Sequence, residues 1–369
     1  MFQFDRRLFQ NFDWVLLGLV ALIGAMCVAN LYSATPDTFR GTPVYLKQLY
    51  FFIMGFALIL LIISVDYRIL VEFNYTLYGV VICLLLFSSL FSSGLAGTSR
   101  WINLGFFKLQ PSEPAKLMLV ITLASYYFRK DTGKGFTLKE LFVPLALAGL
   151  PFALIVSQPD LGTALMLAFI FVSMTLFVKL RWSTLVTLIV TAFLTAGIGW
   201  QYLLKPYQRQ RIETFLNPGS DSLGSGYHII QSKIAVGSGL TFGKGYLQGT
   251  QGNLDFLPER HTDFAFSIWA EEWGFLGSLF FFGVYFFLIF WGLHIALSSR
   301  DKFGTLLCLG VVSLIFWQAF INLAMVMGLL PVVGMPLPLF SYGGSSLITT
   351  MAGIGILMSV RMRRYQAPV

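Results

Sequence analysis

Leu257-Pro258-Glu259-Arg260-His261-Thr262-Asp263 joins a polar segment of about 60 residues to an apolar run that begins at Phe264. Charged residues make up only 11% of the 369-residue chain, so their concentration at this boundary is informative. A carboxylate placed where a polar loop meets an apolar helix loses hydration, which raises its pKa toward the range of a general base. Asp263 is therefore a candidate catalytic base, although its spacing alone favours a structural role. The alternative is that Asp263 caps the helix that follows.

The composition of the chain defines its class. Hydrophobic residues make up 56% and aromatic residues 16%, and the mean hydropathy is +0.75, values typical of a polytopic membrane protein. Apolar runs of spanning length predict an all-α fold of about ten transmembrane helices, at about 14–31, 47–65, 70–91, 113–128, 141–157, 161–178, 183–204, 264–297, 304–328 and 346–361. A single integral-membrane domain would then cover residues 1–369, with a large outer loop at about 205–263 between helices 7 and 8.

The Lys and Arg residues predict the orientation. Ten crossings place both termini on one face, and the positive-inside rule assigns that face to the cytoplasm once the long loop is set aside. The basic residues on the terminal face are Arg6, Arg7, Arg68, Arg129, Lys130, Lys134, Lys139, Lys179, Arg181, Arg300, Lys302, Arg361, Arg363 and Arg364. The net charge of +8 therefore follows topology, and no nucleic-acid partner is predicted.

A second polar constellation combines Gly97-Thr98-Ser99-Arg100-Trp101-Ile102 with Gln110-Pro111-Ser112-Glu113-Pro114-Ala115-Lys116-Leu117. Glu113 and Lys116 are separated by three residues and lie on one helix face. A charge at a membrane helix centre costs roughly 2.5–3.5 kcal/mol, so pairing the two is economical. They form either a salt bridge that fastens this helix to its neighbour or, with Arg100, a positive site for an anionic substrate.

Acidic residues occur at two further outer positions. Gln158-Pro159-Asp160-Leu161-Gly162-Thr163 predicts a tight hairpin in which Asp160 caps the second helix. Glu271 and Glu272 lie about two turns after Asp263, where either could pair with a base from the outer loop.

The outer loop contains two recognisable segments. Tyr227 to Val236 predicts a short amphipathic helix along the membrane surface, with Ile229, Ile230 and Ile234 on its apolar side. The glycines of residues 237–245 would let the backbone approach a ligand such as a phosphate; the alternative is an ordinary flexible turn.

The stretch from Asn322 to Ser346 contains three prolines and four glycines in an apolar frame. Such a sequence predicts non-helical backbone at membrane depth, which requires protein or a polar cavity to satisfy its polar groups. The three cysteines and three histidines are too scattered to predict a metal site.

Three of these stretches carry a family resemblance. The run from Asn322 to Ser346 resembles the signature of the SEDS proteins (shape, elongation, division and sporulation), and residues 110–117 and 257–264 match that family at its most characteristic positions. Residues 259–264 and 332–336 look like the elongation branch more than the division branch.

The resemblance implies a peptidoglycan glycosyltransferase that polymerises lipid II in the bacterial plasma membrane and works with a class B penicillin-binding protein. It also implies that Asp263 is the essential outer-loop aspartate. The predicted substrate-binding residues are Arg100, Glu113, Lys116, Arg209, Arg211 and Lys244. No cofactor is predicted, although a divalent cation could bridge the substrate pyrophosphate. The alternatives are a lipid II flippase and an ion-coupled transporter; the latter would need broken helices in both halves of the chain.

Overall fold

The computed structural model describes residues 11–35, 42–91, 100–103, 105, 108–130, 133, 135–198, 206–221, 224–253, 256–257 and 259–364. Predictions that involve residues 6, 7, 97–99, 134, 205 and 258 fall outside the described residues.

Each predicted apolar run coincides with a helix of the structure. The long helices are α1 (Trp14–Ala34), α2 (Val44–Ser64), α3 (Ile69–Phe91), α4 (Ser112–Arg129), α5 (Leu138–Ser157), α6 (Leu161–Phe177), α7 (Trp182–Ile198), α11 (Ala265–Leu297), α12 (Lys302–Val326) and α13 (Gly344–Met362). Seven of the described helices are long and apolar enough to cross a membrane. The predicted all-α polytopic membrane fold is therefore confirmed, apart from a small antiparallel pair, β1 (Ile102–Asn103) and β2 (Lys108–Leu109).

The helices differ in how much protein surrounds them. The spanning parts of α12 and α13 are 78% and 83% buried, whereas that of α3 is 17% buried. Helices α12 and α13 therefore form the centre of the bundle, and α3 lies at its edge. Because no water reaches a bilayer core, the polar side chains of the central helices must find partners inside the protein.

The outer segment folds into short helices instead of forming an extended tether. It contains α8 (Pro206–Leu216), a single 3₁₀ turn (Pro218–Ser220), α9 (Ser225–Ser238) and α10 (Thr250–Asn253). The short helix predicted at 227–236 is confirmed, but its three isoleucines do not share one environment. Ile229 is buried while Ile230 and Ile234 are exposed, because Ile229 shares the inward face of the helix with Ser232. The Ser232 hydroxyl donates to the Val326 carbonyl at 2.6 Å.

The glycine-rich loop at 237–245 packs on a break in α11. Gly274 interrupts that helix with φ +64°, and the loop amides of Lys244 and Gly245 donate to the carbonyls of Glu271 and Glu272 at 3.0 Å. In return, the amide of Phe275 donates to the Leu240 carbonyl at 2.8 Å. The glycines therefore allow the loop to approach the helix backbone closely, and the approach to a phosphate stays a prediction.

This packing predicts a large effect of adding one methyl group. Gly243 has φ +81°, and a Cβ there would stand 2.0 Å from the Glu272 carbonyl oxygen, so Gly243→Ala should lower the free energy of unfolding by more than about 1 kcal/mol. Gly237→Ala is the matched control, since a Cβ at this helical position meets nothing within 4 Å and should be neutral or stabilising. Thermal unfolding in detergent measures both variants. Equal melting temperatures for the two would show that the loop does not need its contact with the helix.

The two ends of the described chain meet at one face of the bundle. Asp13, which caps α1 through the Leu16 amide at 2.9 Å, lies 3.6 Å from Arg361 near the end of α13. Arg68 pairs with Asp301 at 3.2 Å on the same face. We call this the terminal face. Helix α11 ends close to it, at Leu297, and begins at the opposite boundary, which is where Asp263 lies.

Candidate active site

The segment from Glu259 to Asp263 is fixed at both sides by backbone contacts. The Arg260 guanidinium donates through Nε to the Ala34 carbonyl at 2.6 Å, and the amide of Tyr342 donates to the His261 carbonyl at 2.9 Å. Glu259 adopts φ +53°, and its carbonyl accepts from the amides of Thr262 and Phe264. This tight turn directs the chain into α11 and presents Asp263 at its start.

Asp263 does not cap α11. The cap position belongs to Phe264, whose side chain makes no capping hydrogen bond. The capping alternative is therefore wrong, because the turn at Glu259 places Asp263 one residue too early. Its carboxylate instead faces the non-helical residues 327–343 between α12 and α13, which we call the broken segment. A Cβ on Gly334 would stand 3.4 Å from Asp263 Oδ2.

Asn322 joins Asp263 to the broken segment. Its Nδ2 donates to the Asp263 carbonyl at 2.8 Å and to the Met335 carbonyl at 2.6 Å. The side chain is completely buried in α12, so the backbone of Asp263 is held relative to the centre of the bundle. Asn322 lies at the start of the motif at 322–346, and no role for it was predicted from the sequence.

The surroundings of Asp263 raise its pKa. Loss of hydration is the largest cause, the negative charge of Glu259 adds to it, and the positive charge of Arg211 opposes both; together they raise the pKa from 3.8 to about 6. The side chain is nevertheless only partly buried. A carboxyl group that is ionised near neutral pH and incompletely hydrated suits a general base.

Arg211 and Arg209 do not occupy the same side of α8. Two residues along a helix correspond to 200° of rotation, so their side chains point to different sides. The positive charge of Arg211 lowers the pKa of Asp263, and the substrate-binding role predicted for Arg211 stays a prediction. Arg209 projects from another side of α8, and the substrate-binding role predicted for it stays a prediction.

Lys244 forms an ion pair with Glu271. Its ammonium lies 2.6 Å from Glu271 Oε1, and the same oxygen accepts from the Thr250 amide at 2.9 Å. The predicted pairing of an acidic residue here with an outer-loop base is confirmed. Neighbouring Glu272 instead accepts from the Ser33 hydroxyl of α1. The substrate contact predicted for Lys244 stays a prediction, and its charge is already balanced by the buried Glu271.

Glu113 and Lys116 form a buried ion pair. The Lys116 ammonium lies 2.9 Å from the Glu113 carboxylate and donates to Gln318 Oε1 of α12 at 3.0 Å. Gln318 Nε2 in turn donates to the Pro336 carbonyl at 2.9 Å and to the Ser346 hydroxyl at 3.0 Å. The pair therefore fastens α4 to α12 and to the broken segment, as the salt-bridge alternative predicts. Lys116 is only 1% exposed, and its predicted role in substrate binding stays a prediction.

The broken segment is satisfied by polar side chains from the surrounding helices. Besides Asn322 and Gln318, the Tyr285 hydroxyl donates to the Pro338 carbonyl, and Gln48 Nε2 donates to the Ser341 carbonyl at 3.1 Å. The prediction of irregular backbone supported by protein is confirmed. Gln48 and Gln318 were not singled out from the sequence, although an amide inside an apolar helix is costly without a partner and could have signalled them.

Arg100 supports the hairpin that precedes α6. Its Nε donates to the Gln158 carbonyl at 3.0 Å, and its terminal nitrogen donates to the Pro159 carbonyl. Asp160 accepts from the Thr163 amide at 3.2 Å, which confirms that it caps α6. The substrate contact predicted for Arg100 is untested.

Metal binding has no obvious ligand cluster in the described part of the chain. No group of three or more His, Cys, Asp or Glu residues is placed there to hold an ion. A divalent cation that bridges a substrate pyrophosphate would need fewer protein ligands, and that prediction stays open.

The fold and the site define a class: a polytopic membrane protein with a partly buried carboxylate between an outer loop and a broken helix entry. A family model described as "Cell cycle protein", covering FtsW, RodA and SpoVE, matches residues 8–366. The chain belongs to this family, and the predicted SEDS membership is confirmed.

Similar proteins support the same assignment. The chain is 42% identical over 311 residues to the peptidoglycan glycosyltransferase MrdB of Escherichia coli, covering 84% of each protein. It is 32% identical to the peptidoglycan glycosyltransferase RodA of Treponema pallidum, covering 96% of this chain and 98% of the relative.

Solved structures show the same fold. A chain from a structure that describes coordinated polymerisation and crosslinking by a peptidoglycan synthase complex matches with a TM-score of 0.82 and 35% identity, covering 96% of this chain and 99% of that chain. The rod shape determining protein RodA of Thermus thermophilus matches with a TM-score of 0.71 and 31% identity, covering 96% of this chain and 98% of that chain. These matches confirm the predicted resemblance to RodA.

Proposed function

We propose that this chain is a peptidoglycan glycosyltransferase that polymerises lipid II into glycan strands during cell elongation. The observation that carries the proposal is Asp263, a partly accessible carboxylate whose pKa is raised to about 6. It is held by Asn322 at the entrance to the broken segment. The names of the relatives support the reaction class, and the geometry supports the identity of the base.

The chemistry requires one base and one stabilised leaving group. The acceptor 4-hydroxyl attacks the anomeric carbon of the donor from the side opposite the phosphate, so a new C–O bond forms with inversion. The bond to the polyprenyl pyrophosphate breaks, and its electron pair leaves with the phosphate oxygen. The hydroxyl proton passes to Asp263. Glycosidases need a second carboxyl as general acid, but a pyrophosphate anion is weakly basic and leaves unprotonated.

Positive charge takes the place of the general acid. Arg211 is the strongest candidate, because it already acts on Asp263 and because guanidinium groups bind phosphate oxygens with two parallel hydrogen bonds. Arg100, Arg209 and Lys244 remain candidates for the same anion. Glu113 and Lys116 would contribute by holding the broken segment in place, since both side chains are buried.

The reaction would take place at the outer face of the plasma membrane. Asp263 lies at the opposite end of α11 from the terminal face, and the Lys and Arg distribution assigns the terminal face to the cytoplasm. Both termini would therefore be cytoplasmic, and residues 1–369 would form one integral-membrane domain that receives lipid II from the outer leaflet.

Purified protein in liposomes that contain lipid II and no other enzyme tests the proposal. Glycan chains resolved by electrophoresis are the expected product. Movement of lipid II between leaflets without polymer would contradict the glycosyltransferase and favour the flippase. Lipid II placed only in the outer leaflet makes the distinction sharper, because a polymerase needs no translocation.

A class B penicillin-binding protein is the proposed partner. The solved structure with a TM-score of 0.82 belongs to a complex that coordinates polymerisation with crosslinking. Helix α11 offers a surface to a single-pass partner through exposed Phe275, Leu279, Phe286 and Phe290. Membrane helices associate by van der Waals packing of their side chains, and this exposed face of α11 is available for that packing.

We expect the co-purified partner to raise the polymerisation rate and to protect residues 205–263 from protease by ordering the loop. The measurements are lipid II turnover at saturating substrate and the rate of proteolysis, each with and without the partner. Equal turnover together with unchanged proteolysis would contradict activation through the loop.

A further inference from the structure

Two large apolar side chains of the glycine-rich loop point away from the protein. Leu240 and Phe242 are 79% and 80% exposed. The one charged residue of the loop, Lys244, is turned the other way, and its ammonium lies 2.6 Å from the buried Glu271 carboxylate. In water the opposite arrangement is expected, because large exposed apolar patches mark surfaces that meet a partner or a membrane. The polarity of the loop is therefore that of a surface in contact with hydrocarbon.

The backbone of the loop is satisfied by the protein. Its carbonyls and amides pair with one another and with α11 through the following donors and acceptors: Gly243 N to Gly239 O at 2.7 Å, Phe275 N to Leu240 O at 2.8 Å, Leu276 N to Thr241 O at 3.1 Å, Lys244 N to Glu271 O at 3.0 Å and Gly245 N to Glu272 O at 3.0 Å. Non-helical backbone is tolerated at membrane depth only where protein or a polar cavity pairs its groups. The loop meets that condition, so it can lie against acyl chains.

The length of α11 gives the depth of the loop. Leu297 ends this helix close to the terminal face, and Phe275, whose amide bonds to the loop, lies near the other boundary. At 1.5 Å per residue, the helix rises about 33 Å between these two residues. The hydrocarbon core of a bilayer is about 30 Å thick. The loop therefore lies at the far edge of the hydrocarbon layer.

Helix α1 gives the same depth independently. It begins at Trp14, beside the terminal face. Near its other end, the Ser33 hydroxyl donates to Glu272, two residues before the break at Gly274 on which the loop packs. The rise from Trp14 to Ser33 is about 29 Å. Two helices that start from the same face therefore place the loop at the same boundary.

The exposed side chains of the loop continue an exposed stripe of α11. The Thr241 carbonyl accepts from the Leu276 amide at 3.1 Å, so the loop adjoins the helix at that residue. Leu276 is 48% exposed, and Phe280, one turn closer to the terminal face, is 55% exposed. A stripe of this kind on a spanning helix faces lipid, and Leu240 and Phe242 extend it at its outer end.

We propose that the glycine-rich loop inserts Leu240 and Phe242 among the acyl chains of the leaflet opposite the terminal face. The occupant is bilayer lipid, because the loop lies at the edge of the hydrocarbon layer and adjoins the lipid-facing stripe of α11. The loop precedes Asp263 in the same outer segment. Insertion therefore ties the segment that carries Asp263 to the membrane as well as to the helix bundle.

A nitroxide attached at Phe242→Cys tests the proposal in nanodiscs of palmitoyl-oleoyl-phosphatidylcholine that contain this chain alone. Cys83→Ser removes the exposed thiol, and the other two cysteines are buried. We expect the label to collide more with molecular oxygen, which concentrates in hydrocarbon, than with a water-soluble nickel chelate. Phe280→Cys should show the same preference at greater depth. Lys108→Cys, an exposed position of β2, should show the reverse preference.

Phe242→Ser supplies a second measurement. Because the side chain is 80% exposed, the melting temperature in detergent should stay near that of the parent. In liposomes, protease should cut residues 205–263 about tenfold faster, because transfer of a phenylalanine side chain into hydrocarbon favours the inserted loop by at least that factor. Phe242→Leu keeps an apolar side chain and is the matched control, with cleavage close to that of the parent.

Three results would overturn the proposal. The first is equal accessibility of the labels at positions 242 and 108 to the nickel chelate. The second is equal cleavage of the Phe242→Ser and Phe242→Leu variants in liposomes. The third is a label at position 242 that is open to water in the chain alone and becomes protected only when a class B penicillin-binding protein is added, which would assign the surface to the protein partner.

Discussion

Asp263→Asn should lower the rate of lipid II polymerisation by about 10²–10⁴-fold, the usual contribution of a general base. The amide keeps the size and shape of the carboxyl but cannot accept the acceptor's proton. The contact from Asn322 to the Asp263 carbonyl uses the backbone and is retained. Turnover of the purified, folded variant in liposomes measures the effect, and a rate near that of the parent would contradict the assignment of Asp263.

The same substitution should not destabilise the protein. Asp263 has a folded pKa of about 6 against an ordinary value of 3.8, so the protonated carboxyl favours folding at low pH and this contribution is lost as the pH rises through 6. At pH 7.5 the ionised form therefore costs up to about 3 kcal/mol. Asp263→Asn should raise the melting temperature at pH 7.5, and its advantage should shrink toward pH 4. A misfolded variant would instead melt lower at both pH values.

The charges around Asp263 should shift the pH profile in opposite directions. The ionised base is needed, so the rate of the chemical step should fall tenfold per pH unit below about 6. Arg211→Gln removes the charge that lowers the pKa of Asp263, so the fall in rate on the acidic side of the pH profile (the acidic limb) should move to higher pH. Glu259→Gln removes a charge that raises the pKa and should move the limb to lower pH. Shifts of the same sign would show that at least one of the two residues does not act through the charge on Asp263.

The helices could be predicted because the thickness of a bilayer sets the length of a spanning helix. A bilayer also leaves no water to bond with unpaired backbone N–H and C=O groups. Those constraints leave apolar runs that can be read directly, and the observed helix ends lie within about three residues of the predicted ones, apart from the end of α7 at Ile198. The break predicted near 331–345 follows from the three prolines there, because a proline cannot continue a helix.

The contacts between distant segments could not be predicted in the same way. Whether Asp263 caps α11 or faces Gly334 depends on the turn at Glu259, and the same residue types serve both arrangements. The glycine loop carries no periodic pattern that would reveal its packing against Gly274. The carbonyls that Gln318 and Asn322 hold lie in a segment without regular structure, so only the three-dimensional fold identifies them.

The buried pair between Glu113 and Lys116 should give the second large effect. Lys116→Ala removes the ammonium group that lies 2.9 Å from the Glu113 carboxylate. The carboxylate is then unpaired in a site where Glu113 is only 4% exposed. Removing one member of a buried pair costs about 3–5 kcal/mol. It also releases Gln318, which holds the Pro336 carbonyl at 2.9 Å. We expect a lower melting temperature together with a large loss of polymerisation.

Glu113→Gln/Lys116→Met separates the loss of stability from the loss of function. This double variant removes both charges while approximately preserving volume, so the melting temperature should return to near that of the parent, because uncharged replacements of buried pairs are often neutral. Polymerisation should remain low, since Met makes no hydrogen bond to Gln318 and the broken segment beside Asp263 loses one support. Full activity in the double variant would instead mean that the pair serves only to fasten α4 to α12, and that Gln318 positions Pro336 without Lys116.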